Sequence, residues 1–205
     1  MVKTYSIDDG RFLVSLARSA ITEYLSKRKA IDPPPDAPKR LLEKSGVFVT
    51  LNSVKPTRQL RGCIGYPLPT EPLVAAAISA AIEAATGDPR FEPVQLSEFK
   101  RDIAVEVSVL TIPEELEARE PIERPKEIEI GRDGLIVGQG PYRGLLLPQV
   151  APEWEWNAEE FLSQCCLKAG LPPDAWLDKE TKVEKFQAIV FEEDQPNGGV
   201  HLKKL

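Results

Sequence analysis

At 205 residues, 42% hydrophobic and 28% charged, the chain can bury a substantial core, and no apolar run reaches transmembrane length. A net charge of −6 argues against a general nucleic-acid binder. Three cysteines, two of them adjacent, make no disulfide framework and point to a reducing cytoplasm. One methionine beside 19 prolines is the composition expected of a heat-adapted protein. The charge is uneven: residues 1–66 hold 12 Lys and Arg against 6 Asp and Glu, the remainder 14 against 26. Ordinary solvated surface explains this, as does an anion-attracting face around Lys55, Arg58 and Arg61.

Residues 1–5 run straight into a helical pattern, with no apolar region of a secretory leader. Ser6 followed by Asp9 predicts a helix cap, and Phe12, Leu13, Leu16, Ala20, Ile21 and Tyr24 recur at helical spacing to about Lys27. The proline-rich residues 32–38 form a crossing loop, and a short helical turn is predicted over 39–43. Strands over 47–51 and 60–65 make an antiparallel pair. An alanine-rich helix is predicted over 69–86, small enough in section to approach a sheet closely, and Gly87 stops it. Residues 102–110 alternate, with Ile103, Val105, Val107 and Val109 on the core face and Ala104, Glu106 and Ser108 opposite.

Residues 111–127, rich in proline and glutamate, mark an internal boundary or a long excursion. A hairpin is predicted from 128–130 to 135–137, then a short strand over 143–147. Asn157 caps a helix that ends with Lys168 and Gly170, and 183–191 is the last strand. Helices interrupting antiparallel strands, without regular β-α-β alternation, predict an α+β fold with antiparallel sheets flanked by helices.

Familiar motifs give mostly exclusions. Gly138-Gln-Gly140 with Gly144 has the wrong spacing for a dinucleotide loop, and a strand follows it, so it reads as a turn. Cys165 and Cys166 stand about 100° apart on a helix and cannot readily share one metal, so they read as buried small side chains and no metal site is expected. His201, the single histidine, lies near the end of the chain and reads as a surface residue. Pairing it with Cys63, or building a serine triad on it, would need the last strand to bring it home.

The most unusual stretch is Leu60-Arg-Gly-Cys-Ile-Gly-Tyr66. Strand periodicity puts Arg61, Cys63 and Gly65 on one face, where a cation close to a thiol would lower its pKa. Glu106 and Ser108 share the less apolar face of another strand, and Arg90 sits in an irregular loop. Two readings stay open. In one, a thiol, a carboxylate and two guanidiniums bind a small anionic molecule, with Cys63 and Glu106 as catalytic candidates and Arg61 and Arg90 as binding residues. In the other, Cys63 is a packed small hydrophobe and Arg61 pairs with Glu106 as a structural ion pair. Gly62 and Gly65 are expected to serve the backbone, through close approach or positive φ.

Leu60-Arg-Gly-Cys-Ile-Gly65 resembles the signature hexapeptide of the AMMECR-type family. Asp88-Pro-Arg-Phe91, Gly131-Arg-Asp-Gly-Leu135, Leu147-Pro-Gln-Val150 and Lys168-Ala-Gly-Leu171 match further blocks in order, across nearly the whole chain. The resemblance is to a stand-alone prokaryotic, archaeal member. It implies a larger and a smaller subdomain within a single module over 1–205, the smaller over roughly 111–150. Gln149 of the fourth block joins the candidate binding residues. The family has no settled activity, so the resemblance implies no cofactor. Its association with Memo-type and radical SAM proteins implies an enzymatic or accessory role. A non-catalytic interaction or regulatory module is the alternative, and a weak nucleic-acid binder the third.

Overall fold

The computed structural model describes residues 5–203; the expected absence of a leader falls largely on residues 1–4, outside the described residues. Ser6 caps α1 (Ile7–Lys27) through a reciprocal box with Asp9, and the helix buries Leu13, Val14, Leu16, Ala17, Ala20 and Ile21. The proline-rich loop leads through one 3-10 turn at Lys39–Leu42 to β1 (Gly46–Ser53) and β2 (Gln59–Tyr66), an antiparallel pair as the sequence predicts. The alanine-rich helix α2 (Leu73–Thr86) starts four residues later than expected. Glu71 precedes a proline and is pushed out of the helical region, so Pro72 is the cap residue and the Leu73 N–H donates to the Glu43 carbonyl.

A short helix α3 (Leu96–Asp102), absent from the sequence reading, is capped by Gln95 with Glu98 and runs directly into β3 (Ile103–Leu110). β4 (Glu114–Glu115) follows. The expected strand over 128–130 does not form: the buried Asp133 carboxylate accepts from the Glu129 N–H while the Asp133 N–H donates back to the Glu129 carbonyl, closing a turn there. The hairpin is instead β5 (Asp133–Gln139) with β6 (Tyr142–Leu146), turning through Gly140 at a φ of 58°. A short α4 (Val150–Glu153) precedes α5 (Ala158–Lys168), which Asn157 caps as predicted. β7 (Lys182–Glu193) and β8 (Val200–Leu202) complete the α+β chain.

The chain divides into two compact units, one reaching Leu110 and resuming at Ile189, the other spanning Thr111–Ala188. In the first, β1 lies between β2 and β3, and β3 neighbours β7, with β8 also on β7. Helices α1 and α2 cover one face, burying Val47, Val49, Leu51, Val105, Val107 and Val109. β3 is buried on both faces, so Glu106 and Ser108, on the less apolar face as expected, are enclosed as well. In the second unit β7 lies between β4 and β5, and α5 packs on the β5–β6 hairpin around Phe161, Leu162, Cys165 and Cys166, both thiols buried as expected. Among the described residues no helix is long and apolar enough to cross a membrane.

Candidate functional site

The first unit carries the hexapeptide. Register places Cys63 of β2 opposite Thr50 of β1, and Thr50 opposite Glu106 of β3, so the three side chains form one row. Alternation assigns that row to the face away from α2, because Val49, Leu51 and Gly62 face the helices. The Thr50 hydroxyl lies 3.3 Å from the Cys63 Sγ. Burial pushes the Cys63 thiol above its ordinary value, and the neighbouring Glu106 and Asp88 charges add to this. Thr50 and Arg90 oppose the rise without reversing it. The thiol is therefore held protonated at neutral pH.

β2 is an edge strand, whose outward N–H and C=O groups would otherwise be unpaired. At Cys63 both are taken by the loop after α2. The Cys63 N–H donates to Asp88 Oδ2 at 2.9 Å, and Arg90 Nη2 donates to the Cys63 carbonyl at 3.4 Å. Arg90 grips the same carboxylate twice, Nε to Oδ1 at 2.9 Å and Nη2 to Oδ2 at 2.7 Å. The Arg90 hydrogen bond and then the Cys63 N–H hold the buried Asp88 carboxyl at about 2, against the opposing effect of burial. Asp88-Pro-Arg-Phe91 thus substitutes for a partner strand, locking two distant sequence blocks together.

Arg61 does not pair with Glu106. Its Nε and Nη2 donate to the two carboxylate oxygens of Glu98, at 2.7 and 3.2 Å, and Nη1 donates to the Glu92 carbonyl at 2.8 Å. The reason is topological: β1 separates β2 from β3, and the α3 turn brings Glu98 to the edge instead. Glu106 pairs with Lys203 Nζ at 2.9 Å, and Lys203 also lies 3.8 Å from Glu192. Burial acts against the Lys203 ammonium, but Glu106 and Glu192 outweigh it and push its pKa up. The cation acting on Cys63 is Arg90, not the expected Arg61.

A Cβ on Gly62 would overlap the Ala84 carbonyl oxygen of α2, and one on Gly65 would overlap the Phe48 ring. Neither glycine has a positive φ, so close approach is the reason for both. Gln149 belongs to the second unit, at the start of α4, where its Oε1 is buried without a hydrogen-bond partner. His201 is not at a loose end: it sits in β8, with Nε2 3.2 Å from Glu192 and Nδ1 2.7 Å from Asp194. Among the described residues no three His, Cys, Asp or Glu side chains cluster to hold a metal ion.

Residue type and spacing did not single out Thr50, Glu98 or Lys203, and pointed to Asp88 only as part of the Asp88–Phe91 block. Glu98 carried a legible signal, the Gln95-to-Glu98 capping spacing, and Thr50 followed from alternation in β1. Lys203 carried none. Chemically, the arrangement is a neutral thiol beside a hydroxyl, ringed by charges that already have intrachain partners.

The AMMECR1 family model matches residues 14–191. Protein PF1979 of Pyrococcus furiosus is 61% identical over 205 residues, covering 98% of this chain and 97% of the relative. A protein of Methanothermobacter thermautotrophicus is 57% identical over 189 residues, covering 92% and 96%. The crystal structure of the uncharacterized protein PH0010 from Pyrococcus horikoshii superposes with a TM-score of 0.91 at 58% identity, covering 97% of this chain and 98% of that one. These relatives come from thermophilic archaea, in keeping with the heat-adapted composition. The interlocked hexapeptide and Asp88 loop therefore sit in a chain that belongs to the AMMECR1 family.

Proposed function

We propose that this chain is a non-catalytic docking module in which the hexapeptide is a finished structural corner. One observation carries this reading: every charged group around Cys63 already has a partner. Arg61 has Glu98, Arg90 has Asp88, and Glu106 has Lys203. The thiol itself is raised rather than activated. A catalytic or anion-binding site keeps donors free for its ligand, since a cation already neutralised in its own chain gains little from a second anion. Three free thiols fit work in a reducing cytoplasm. The Memo-type and radical SAM proteins that the family resemblance brings in are suitable docking partners, with this chain as the accessory.

A small anionic ligand beside Arg61 and Cys63 is the competing reading, with Cys63 and Glu106 as its chemistry and Arg90 as a further contact. It is favoured by the thiol's being only partly enclosed. Native mass spectrometry of the protein purified gently from its source separates the two. The docking reading expects the bare chain or a complex with another protein. A stoichiometric small molecule, absent from Arg61→Met and Cys63→Ala protein, overturns it.

A further inference from the structure

Resting on the docking reading, the geometry points to where the contact is made and to what: the groove beside Trp154 and Trp156 in the second unit takes a basic, amphipathic segment of a partner protein. The groove is a shallow, open depression of about 610 Å³ between β6, α4 and α5, and Leu146, Val150, Trp154, Trp156, Leu167 and Lys168 line it. Trp154 is 66% exposed and Leu167 50%, which is costly for an indole and an isobutyl group that nothing covers. Glu155, at a φ of 56°, turns the chain so that the two indoles stack 5.9 Å apart and 15° from parallel. The exposed Trp154 is thus held on a rigid base, the arrangement in which an aromatic serves as an anchor.

Charge selects the occupant. Residues 150–168 contain four glutamates against the single Lys168. Glu153, Glu155 and Glu159 are exposed and form no ion pair with any described residue. Lys168 is the one charged residue of the lining, but Glu153 and Glu155 flank the exposed Trp154 in the chain and Glu159 follows Trp156 by three residues. These carboxylates repel nucleic acid and anionic lipid. They also repel a second copy presenting the same face. They attract lysines and arginines flanking an apolar side chain seated on the indoles.

The test titrates two synthetic amphipathic helices, one of Leu and Lys, the other of Leu and Glu, against the intact protein. Tryptophan emission is the readout; the third tryptophan, Trp176, is buried and gives a constant background. The basic helix is expected to bind saturably and the acidic one not at all. Trp154→Ala should weaken binding about tenfold without changing the melting temperature, since the side chain is mostly exposed. Trp154→Phe should retain most of the affinity. Glu153→Gln/Glu155→Gln/Glu159→Gln should weaken binding about tenfold and flatten its salt dependence, while Lys168→Glu should strengthen it. The control is an equal neutralisation in the first unit, Asp32→Asn/Asp36→Asn/Glu71→Gln, expected to change nothing. Equal losses in both triple variants reduce the effect to general acidity and overturn the proposal, as does equal binding of the two helices. A rise in mass with concentration that Trp154→Ala abolishes makes a second copy the occupant and also overturns it. A protein partner from the source held equally by wild type and Trp154→Ala overturns this groove but leaves the docking reading standing.

Discussion

The backbone N–H of Cys63 donates to the Asp88 carboxylate at 2.9 Å, joining an edge strand to a loop 25 residues away. That bond closes the sheet edge with a carboxylate instead of a strand, and Arg90 neutralises the charge that does so.

Asp88→Asn should destabilise the protein by about 2 kcal/mol, because an amide cannot accept from Arg90 and Cys63 as a carboxylate does, and half-exposed Arg90 tempers the loss. The pH dependence has a definite sign. The folded carboxyl titrates at about 2, below its ordinary value of 3.8, so its stabilisation is present above pH 4 and disappears as pH falls towards 2. Denaturant unfolding of wild type across that window should show the loss, and Asp88→Asn should lack that component.

Arg61 and Glu98 should be energetically coupled, and Arg61 and Glu106 should not. A double-mutant cycle with Arg61→Met and Glu98→Gln is expected to return about 1 kcal/mol for this partly buried pair. The cycle with Glu106→Gln should return a value within about 0.3 kcal/mol of zero. Reversed magnitudes would restore the pairing that sequence alone suggested.

Lys203→Met strands a buried Glu106 and should cost about 1–3 kcal/mol, discounted because the lysine is itself a third exposed. Adding Glu106→Gln should recover part of the loss, since no buried carboxylate is then left unpaired. The Lys203 contribution is full below its unfolded pKa and falls only as pH rises through the higher folded value, so neutral-pH melting temperatures should be flat with respect to it.

Gly62→Ala should destabilise by about 1–3 kcal/mol, because the added methyl meets the Ala84 carbonyl oxygen and α2 must move away from β2. Ala84→Gly should not rescue it, as the obstacle is backbone. Rescue by that second change would show that α2 already has room.

What the sequence made legible was local. The Ser6 and Asn157 caps, the α1 stripe, the β1–β2 pair and the packing role of Gly62 all follow from residue type and spacing. The pairings were not legible, because they depend on strand order. Arg61 and Glu106 look like partners until β1 is placed between them, and Lys203 reaches Glu106 only after β7 and β8 return the chain to the sheet. Ile128-Glu-Ile130 has a strand's alternation, but Asp133 captures it in a turn through two hydrogen bonds that no periodicity announces.

The reactivity of the Cys63 thiol distinguishes a packed structural corner from an activated site. Native protein is labelled with iodoacetamide across a pH series, sites are located by mass spectrometry, and Arg90→Met and Arg61→Met are run beside wild type. Cys63 should react slowly at neutral pH and accelerate only above the ordinary thiol range. Arg61→Met should leave its rate unchanged. Cys166, and Cys165 with its thiol pushed up to about 12 by burial, should react only on unfolding. Rapid labelling of Cys63 at neutral pH, slowed by either arginine substitution, would contradict the packed corner and return the hexapeptide to the status of an activated site.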